Sequence, residues 1–236
     1  MTDRVAIEHI EQARANLEAE LVQVEQQLRS AIAELFPPFS QMVATQLRHS
    51  YPLQRAAIVL TAGVGEPDRE SIREQRIFLA AALEMLHLAI NVHMMLSDSP
   101  AGETPNRSLL GSTVLAGDYC FSRSAGLAVR TGDPIVVEIF SDALKRVSEG
   151  HLRQFFDSNA QAYNENRELF VAGVAAAMQL SGATEQARVR ASKLAEALAS
   201  AILVEEQKAA LHALGAELSL GQSARWFALA DWRQTQ

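Results

Sequence analysis

The chain has 236 residues, long enough to bury a large core, and 48% of them are hydrophobic, which excludes a disordered protein. A formal charge of −7 with no Lys/Arg run argues against a nucleic-acid surface. Cys120 is the only cysteine, so an intrachain disulfide or a cysteine-built zinc site is excluded, and a reducing cytoplasm is the expected setting. Aromatics are only 6%, and Ala and Leu are abundant, which favours helix over sheet. Met1-Thr2-Asp3-Arg4 leads into a charged helix rather than a signal sequence. The apolar run Leu169 to Leu180 is too short to span a bilayer, so no membrane span is expected.

Residues 3–35 read as a long amphipathic helix. Ile10, Leu17, Leu21, Val24, Leu28, Ala31 and Leu35 form a seam with Glu, Gln and Arg on the faces between. The seam suits packing on the rest of the chain or on a second subunit. Pro37-Pro38 stops it, since neither residue donates a backbone hydrogen bond. A short helix over Gln41 to His49 follows, then a buried one over Leu53 to Ala62, ended by Gly63-Val64-Gly65-Glu66-Pro67. The next helix starts near Asp68 and runs to Ser97.

The punctuation of Asp98 to Pro105 marks a loop. Leu109 to Val129 resumes helix, and Gly111, Gly117 and Gly126 inside it are read as close helix contacts, because glycine costs about 1 kcal/mol against alanine there. Gly132-Asp133-Pro134 stops one helix and starts another, with Pro134 in the first turn. Ile135 to Phe156 is amphipathic, with Val136, Ile139, Phe140, Ala143, Leu144 and Val147 on one face. Asn159 to Asn164 reads as a break, Leu169 to Leu180 as a core helix ended by Gly182, and Thr184 to Leu214 as a long helix closed by Gly215. The tail, Glu217 to Gln236, reads as a short amphipathic helix at best, anchored by Trp226, Phe227 and Trp232. No segment alternates with period two and no Asn-Gly or Asp-Gly hairpin occurs, so residues 1–236 are expected to form one all-α, single-domain antiparallel helical bundle of roughly seven to nine helices.

The stretch that organises the chain is Glu84 to Asp98. Leu83, Leu86, Ile90 and Met94 lie on one helical stripe, yet Glu84, His87, Asn91 and His93 are interspersed. Polar groups are costly in a core unless partnered, so this helix reads as the wall of an internal pocket. Glu84 and His87, one turn apart, suit a buried hydrogen-bonded pair; His93 suits a core or pocket-mouth position; Met85, Met94 and Met95 suit adaptable filler. Glu84-x-x-His87 is one half of a di-iron carboxylate ligand set, but no second such pair is present.

Glu84, His87, Val92 and His93, then Asp98, then Leu115-Ala116-Gly117-Asp118-Tyr119, resemble the trans-polyprenyl diphosphate synthase family. That family has a Glu-x-x-His helix ending in Val-His-Asp-Asp-x-x-Asp, a loop, and a Leu-Ala-Gly-Asp-Tyr helix. Glu149-Gly150-His151-Leu152-Arg153-Gln154 resembles its Glu-Gly-Glu-x-x-Gln segment, and the likeness extends from about Leu53 to Leu214. The resemblance implies the isoprenoid synthase (polyprenyl synthetase) fold, C-terminally shortened here, with long antiparallel helices around a deep cavity. It also implies chain elongation: an allylic diphosphate ionises and isopentenyl diphosphate captures the carbocation. Magnesium ions bridge the diphosphate to two facing aspartate-rich motifs, because magnesium requires hard oxygen ligands.

The departures gather at that diphosphate site. The first motif reads Met94-Met95-Leu96-Ser97-Asp98, so thioethers replace two of the three carboxylates and only Asp98 remains. The second aligns with Ile202 to Ala209, keeping Glu205 and Glu206 but having Ala209 in the third place. The Gly-Lys-x-x-Arg segment maps onto Ser50-Tyr51-Pro52-Leu53-Gln54, with Arg55 one residue on; the Arg-Arg pair is reduced to Arg107 near Asn106; the Lys-Thr pair becomes Glu165-Asn166. From these losses the resemblance implies a scaffold without its chemistry: a pseudoenzyme with no catalytic residues, metal or cofactor expected. It would act as a regulatory subunit in isoprenoid biosynthesis, as a homodimer or as a heteromer with an active polyprenyl synthase. Two alternatives remain open. One is an apolar-chain (prenyl or lipid) binding protein with a pocket lined by Glu84, His87, Asn91, His93, Met94, Met95, Asp98, Gln154, Glu205 and Glu206. The other is a divergent prenyltransferase using Mg2+ held by Asp98, Glu205 and Glu206.

Overall fold

The computed structural model describes residues 2–49, 53–65, 67–95, 107–157, 163–200, 209 and 220–234. Helix α1 (Thr2–Ala33) is followed by α2 (Phe39–His49), α3 (Gln54–Ala62) and α4 (Glu70–Met94). Then come α5 (Arg107–Val129), α6 (Pro134–Phe156), α7 (Glu165–Leu180), α8 (Glu185–Ser200) and α9 (Leu220–Gln234). Among the described residues there is no strand.

Helix α4 is the centre, packing most extensively along α5 and also touching α1, α2, α3 and α7. Its residues from Arg76 to Ile90 are buried on every side except at His87. This is the pattern of a helix enclosed by other helices rather than one with a single buried stripe. The run Ala80-Ala81-Ala82, fully buried, lets neighbours approach its axis. Helix α4 is also long and apolar enough to cross a membrane by composition, but 78% of that window is buried inside the protein, as expected of a core helix.

The stops follow local chemistry. Pro37 and Pro38, joined by a cis peptide bond, separate α1 from α2. The Asp133 carboxylate accepts from the Ile135 backbone N–H at 2.8 Å, and Pro134 occupies the first turn of α6. Helix α7 begins at Glu165, earlier than its apolar run suggests, because the Asn164 side chain accepts from the Arg167 N–H at 3.2 Å and caps a polar first turn. Gly182, at φ +68°, ends α7 in the left-handed region. The expected break at 159–164 is described only at Tyr163 and Asn164, and the stretch after Ser200 that would complete the long eighth helix lies outside the described residues.

Several expectations are corrected here. The seam of α1 is buried as expected, with Leu17, Val24 and Leu28 fully enclosed, but Glu20 on the polar side is equally buried. It meets Arg73 at 3.2 Å, Arg76 at 3.4 Å and Arg225 at 2.9 Å. Arg225 belongs to the tail, which is a full 15-residue helix rather than a marginal one. Trp226 and Trp232 are buried and Arg225 adds an ion pair that composition alone does not announce. Of the three glycines of α5, only Gly117 makes a close contact; Gly111 and Gly126 face open space.

Candidate functional site

Glu84, His87, Asn91 and His93 of α4 are all partnered, mostly with residues of other helices. Glu84 accepts from the Arg55 Nε at 3.0 Å and from the Ala56 backbone N–H at 2.9 Å. Arg55 in turn donates to Asn166 Oδ1 at 2.6 Å. The expected Glu84–His87 pair does not form, because α3 reaches Glu84 first and α7 reaches His87.

His87 Nδ1 lies 2.5 Å from Glu165 Oε1, and its Nε2 lies 3.0 Å from the Asn91 amide nitrogen. An ionised carboxylate only accepts, so Nδ1 donates to Glu165. The other oxygen of Glu165 faces His151 Nε2 at 3.2 Å. One carboxylate therefore ties α4, α6 and α7 together. Burial by itself pushes the Glu165 carboxyl up; the hydrogen bonds and charges of His87 and His151 overcome this and hold it below the usual range.

Tyr163 stands edge-on to the His151 ring, with centroids 5.3 Å apart. It covers Gly150, where any Cβ would collide with the tyrosine ring. Burial, then the Glu168 and Glu165 carboxylates, push the Tyr163 phenol up to about 12. At the end of α4, His93 Nε2 lies 3.2 Å from the Val114 carbonyl and 3.4 Å from Asp118 Oδ1. Its ring packs on Phe121 and directly over Gly117, so α5 needs glycine there.

Between these groups lies a cleft of about 250 Å³. Ile90, His93 and Met94 of α4 and Phe121 of α5 form one side, and Val147, Ser148, His151 and Leu152 of α6 form the other. Among the described residues, no Lys or Arg lines it.

No protein-family model matches the sequence, and no curated protein does either. Solved structures do match. Geranyltranstransferase from Thermotoga maritima aligns at TM-score 0.68 and 16% identity over 93% of this chain and 98% of that one. Decaprenyl diphosphate synthase from Rhodobacter capsulatus aligns at TM-score 0.65 and 22% identity over 80% of this chain and 62% of that one. A polyprenyl synthase from Roseobacter denitrificans aligns at TM-score 0.59 and 26% identity over 81% and 61%. This chain has the all-α isoprenoid synthase fold. It spans about three fifths of the length of the decaprenyl diphosphate synthase.

Within the isoprenoid synthase fold, the residues singled out in the sequence distribute as follows. His93 and Met94 line the cleft. His87 and Asn91 stand behind it in the Glu165 cluster, and Glu84 is sealed in its ion pair at 2% exposure. Met95 accepts from the Gln46 amide at 3.2 Å, and Gln154 is exposed on α6. Asp98, Glu205 and Glu206 lie outside the described residues, as do Asn106, 50–52 and the side chain of Arg107.

Magnesium, which the fold family implies, finds no fitting donor set among the described residues. No group of three or more His, Cys, Asp or Glu is placed to share an ion. The thioethers of Met94 and Met95 are soft donors that suit magnesium poorly.

Sequence reading did not identify Glu165 as the hub of a cluster. The signal was present: the resemblance expects Glu at His151 and Lys at Glu165, so one departure removes a carboxylate and the other adds one. The structure puts those two residues in contact.

Proposed function

We propose that this chain is a non-elongating relative of the prenyl diphosphate synthases, acting as a partner or regulatory subunit in isoprenoid biosynthesis. The observation that carries this reading is the Glu165 carboxylate, held ionised between His87 and His151 where the resemblance expects a lysine. Two like charges 4 Å apart repel by about 4 kcal/mol at an effective dielectric of about 20. A diphosphate carries several such charges. Arg55, the basic residue nearest the lost Gly-Lys-x-x-Arg segment, is occupied by Glu84 and Asn166.

Pairing is supported by the outward face of α5. Leu115 is 69% exposed, Val129 61%, and Gly111 and Gly126 leave room for a helix to approach closely. A second reading, an apolar-chain binding protein, is favoured by the cleft, where Ile90, Met94, Phe121, Val147 and Leu152 supply the lining.

The partner role is tested by mixing the purified chain with an active short-chain prenyl diphosphate synthase from the same source. Co-elution on size exclusion and a changed product-length distribution or rate are expected. Absence of any complex with such enzymes would remove the partner role, and chain elongation by this protein alone would restore the divergent prenyltransferase built on Asp98, Glu205 and Glu206.

A further inference from the structure

We infer that this chain associates weakly with a second copy of itself through the corner between α1 and α2, each copy seating its Phe36 in the groove that the other carries beside the same corner. The pairing is independent of the partner role and of the outer face of α5, since it needs neither a synthase nor that helix face.

The protruding half is Phe36, which is 72% exposed. Its place is nonetheless fixed. The Phe36 carbonyl accepts from the Phe39 N–H at 2.9 Å and from the Ser40 N–H at 3.4 Å, where α2 begins. Its ring leans on Phe39, with centroids 6.3 Å apart, and Phe39 is itself packed against the core. An aromatic side chain held in this way loses little conformational freedom on binding and brings an area of about 150–250 Å² to the contact.

The receiving half is a groove of about 260 Å³ between the end of α1 and α2. Ile32, Ala33, Ala44 and Leu47 supply its apolar wall, and Arg29 and Gln41 its polar part. Ser40, whose N–H holds Phe36, lines it too, so protrusion and recess lie side by side. A cavity of about 150 Å³ already admits a benzene ring, so there is room for a phenyl group, and the exposed Phe36 does not fill the groove of its own chain. A two-fold axis between copies then makes both contacts at once, because an isologous interface needs both halves on one patch. The charges match as well. Glu34, two residues before Phe36, has a side chain 57% exposed, and that of Arg29 in the groove is 63% exposed. Their present partners, Arg123 and Glu25, form surface ion pairs of the kind that contribute little and exchange readily. In the pair, the Glu34 beside each Phe36 meets the Arg29 of the other copy. A contact this small belongs with the weak, transient interfaces.

The test is sedimentation velocity of the full chain alone, from low micromolar to near-millimolar concentration, with circular dichroism as the check on folding. A monomer–dimer equilibrium is expected. Phe36→Asp, at an exposed position, is expected to raise the dissociation constant at least about tenfold. Ala33→Trp, which fills the groove from an exposed residue, is expected to do the same. An equimolar mixture of the two variants is expected to associate more tightly than either alone, since the Phe36 of one then finds the open groove of the other. Arg29→Glu is expected to weaken the pair, and Arg29→Glu combined with Glu34→Arg to recover it. A chain that stays monomeric throughout, a dimer that both variants leave unchanged, or a mixture no tighter than its components would overturn the inference. Failure of the charge exchange would overturn the Glu34–Arg29 contact. No synthase is present in any of these measurements, so the partner role neither gains nor loses by them.

Discussion

At the scale of single residues, Glu165 has the largest consequences. Its folded-state pKa is lowered from 4.5, with burial opposing and the two histidines prevailing. The sign follows from linkage. The stability that ionised Glu165 contributes is fully present above the unfolded value and is lost as pH falls through the folded one. Glu165→Gln should therefore lose less stability than wild type as pH falls through 4.5 and below, read as the shift in urea midpoint. A pair of glycines on α5 offers a contrast of opposite sign. Gly126→Ala should stabilise by about 0.5–1 kcal/mol, because its Cβ enters open space in a helix interior. Gly117→Ala should destabilise, because the new Cβ would displace the His93 ring. Chemical denaturation of the two variants measures both. The sequence could not separate them: glycine in a helix signals either a close neighbour or none, and only the position of His93 decides.

Among elements, the apolar repeats made the helices legible. Period and punctuation locate α1 to α7 to within a few residues, because Pro37-Pro38, Gly132-Asp133-Pro134 and Gly182 act through local backbone chemistry. What escaped the repeats were features made by charge. Helix α9 is held to α1 and α4 through Glu20, a residue that helical spacing assigns to solvent. Its pairs join residues 56 and 205 positions apart, which no local pattern reveals. Glu20→Ala would leave the buried Arg76 and Arg225 short of a counter-charge. Losses of about 3–5 kcal/mol are typical when one partner of a buried ion pair is removed. Both tryptophans of the chain, Trp226 and Trp232, lie on α9 and are buried. The variant should accordingly show red-shifted tryptophan emission at denaturant concentrations where the wild type is unchanged. An unaltered emission profile and urea midpoint would mean that the pin is not needed.

For the molecule as a whole, the fold is that of the isoprenoid synthases, and its cleft is lined by apolar side chains with His93, His151 and Ser148 among them. The fold was legible because the words around Glu84, His87, His93 and Gly117 retain their order, and because those residues also set the packing of α4 on α5. The site was only partly legible. Met94 and Met95 stand in the sequence where the resemblance expects two carboxylates. The contact between His151 and Glu165 emerges only when α6 and α7 are brought together. The reading proposed above, a chain that does not elongate prenyl diphosphates, is tested at this scale. The most direct measurement is incorporation of labelled isopentenyl diphosphate into longer prenyl products, with an allylic diphosphate and magnesium supplied to this chain alone. The account predicts incorporation no greater than in a protein-free control; magnesium-dependent product growing with enzyme concentration would contradict it.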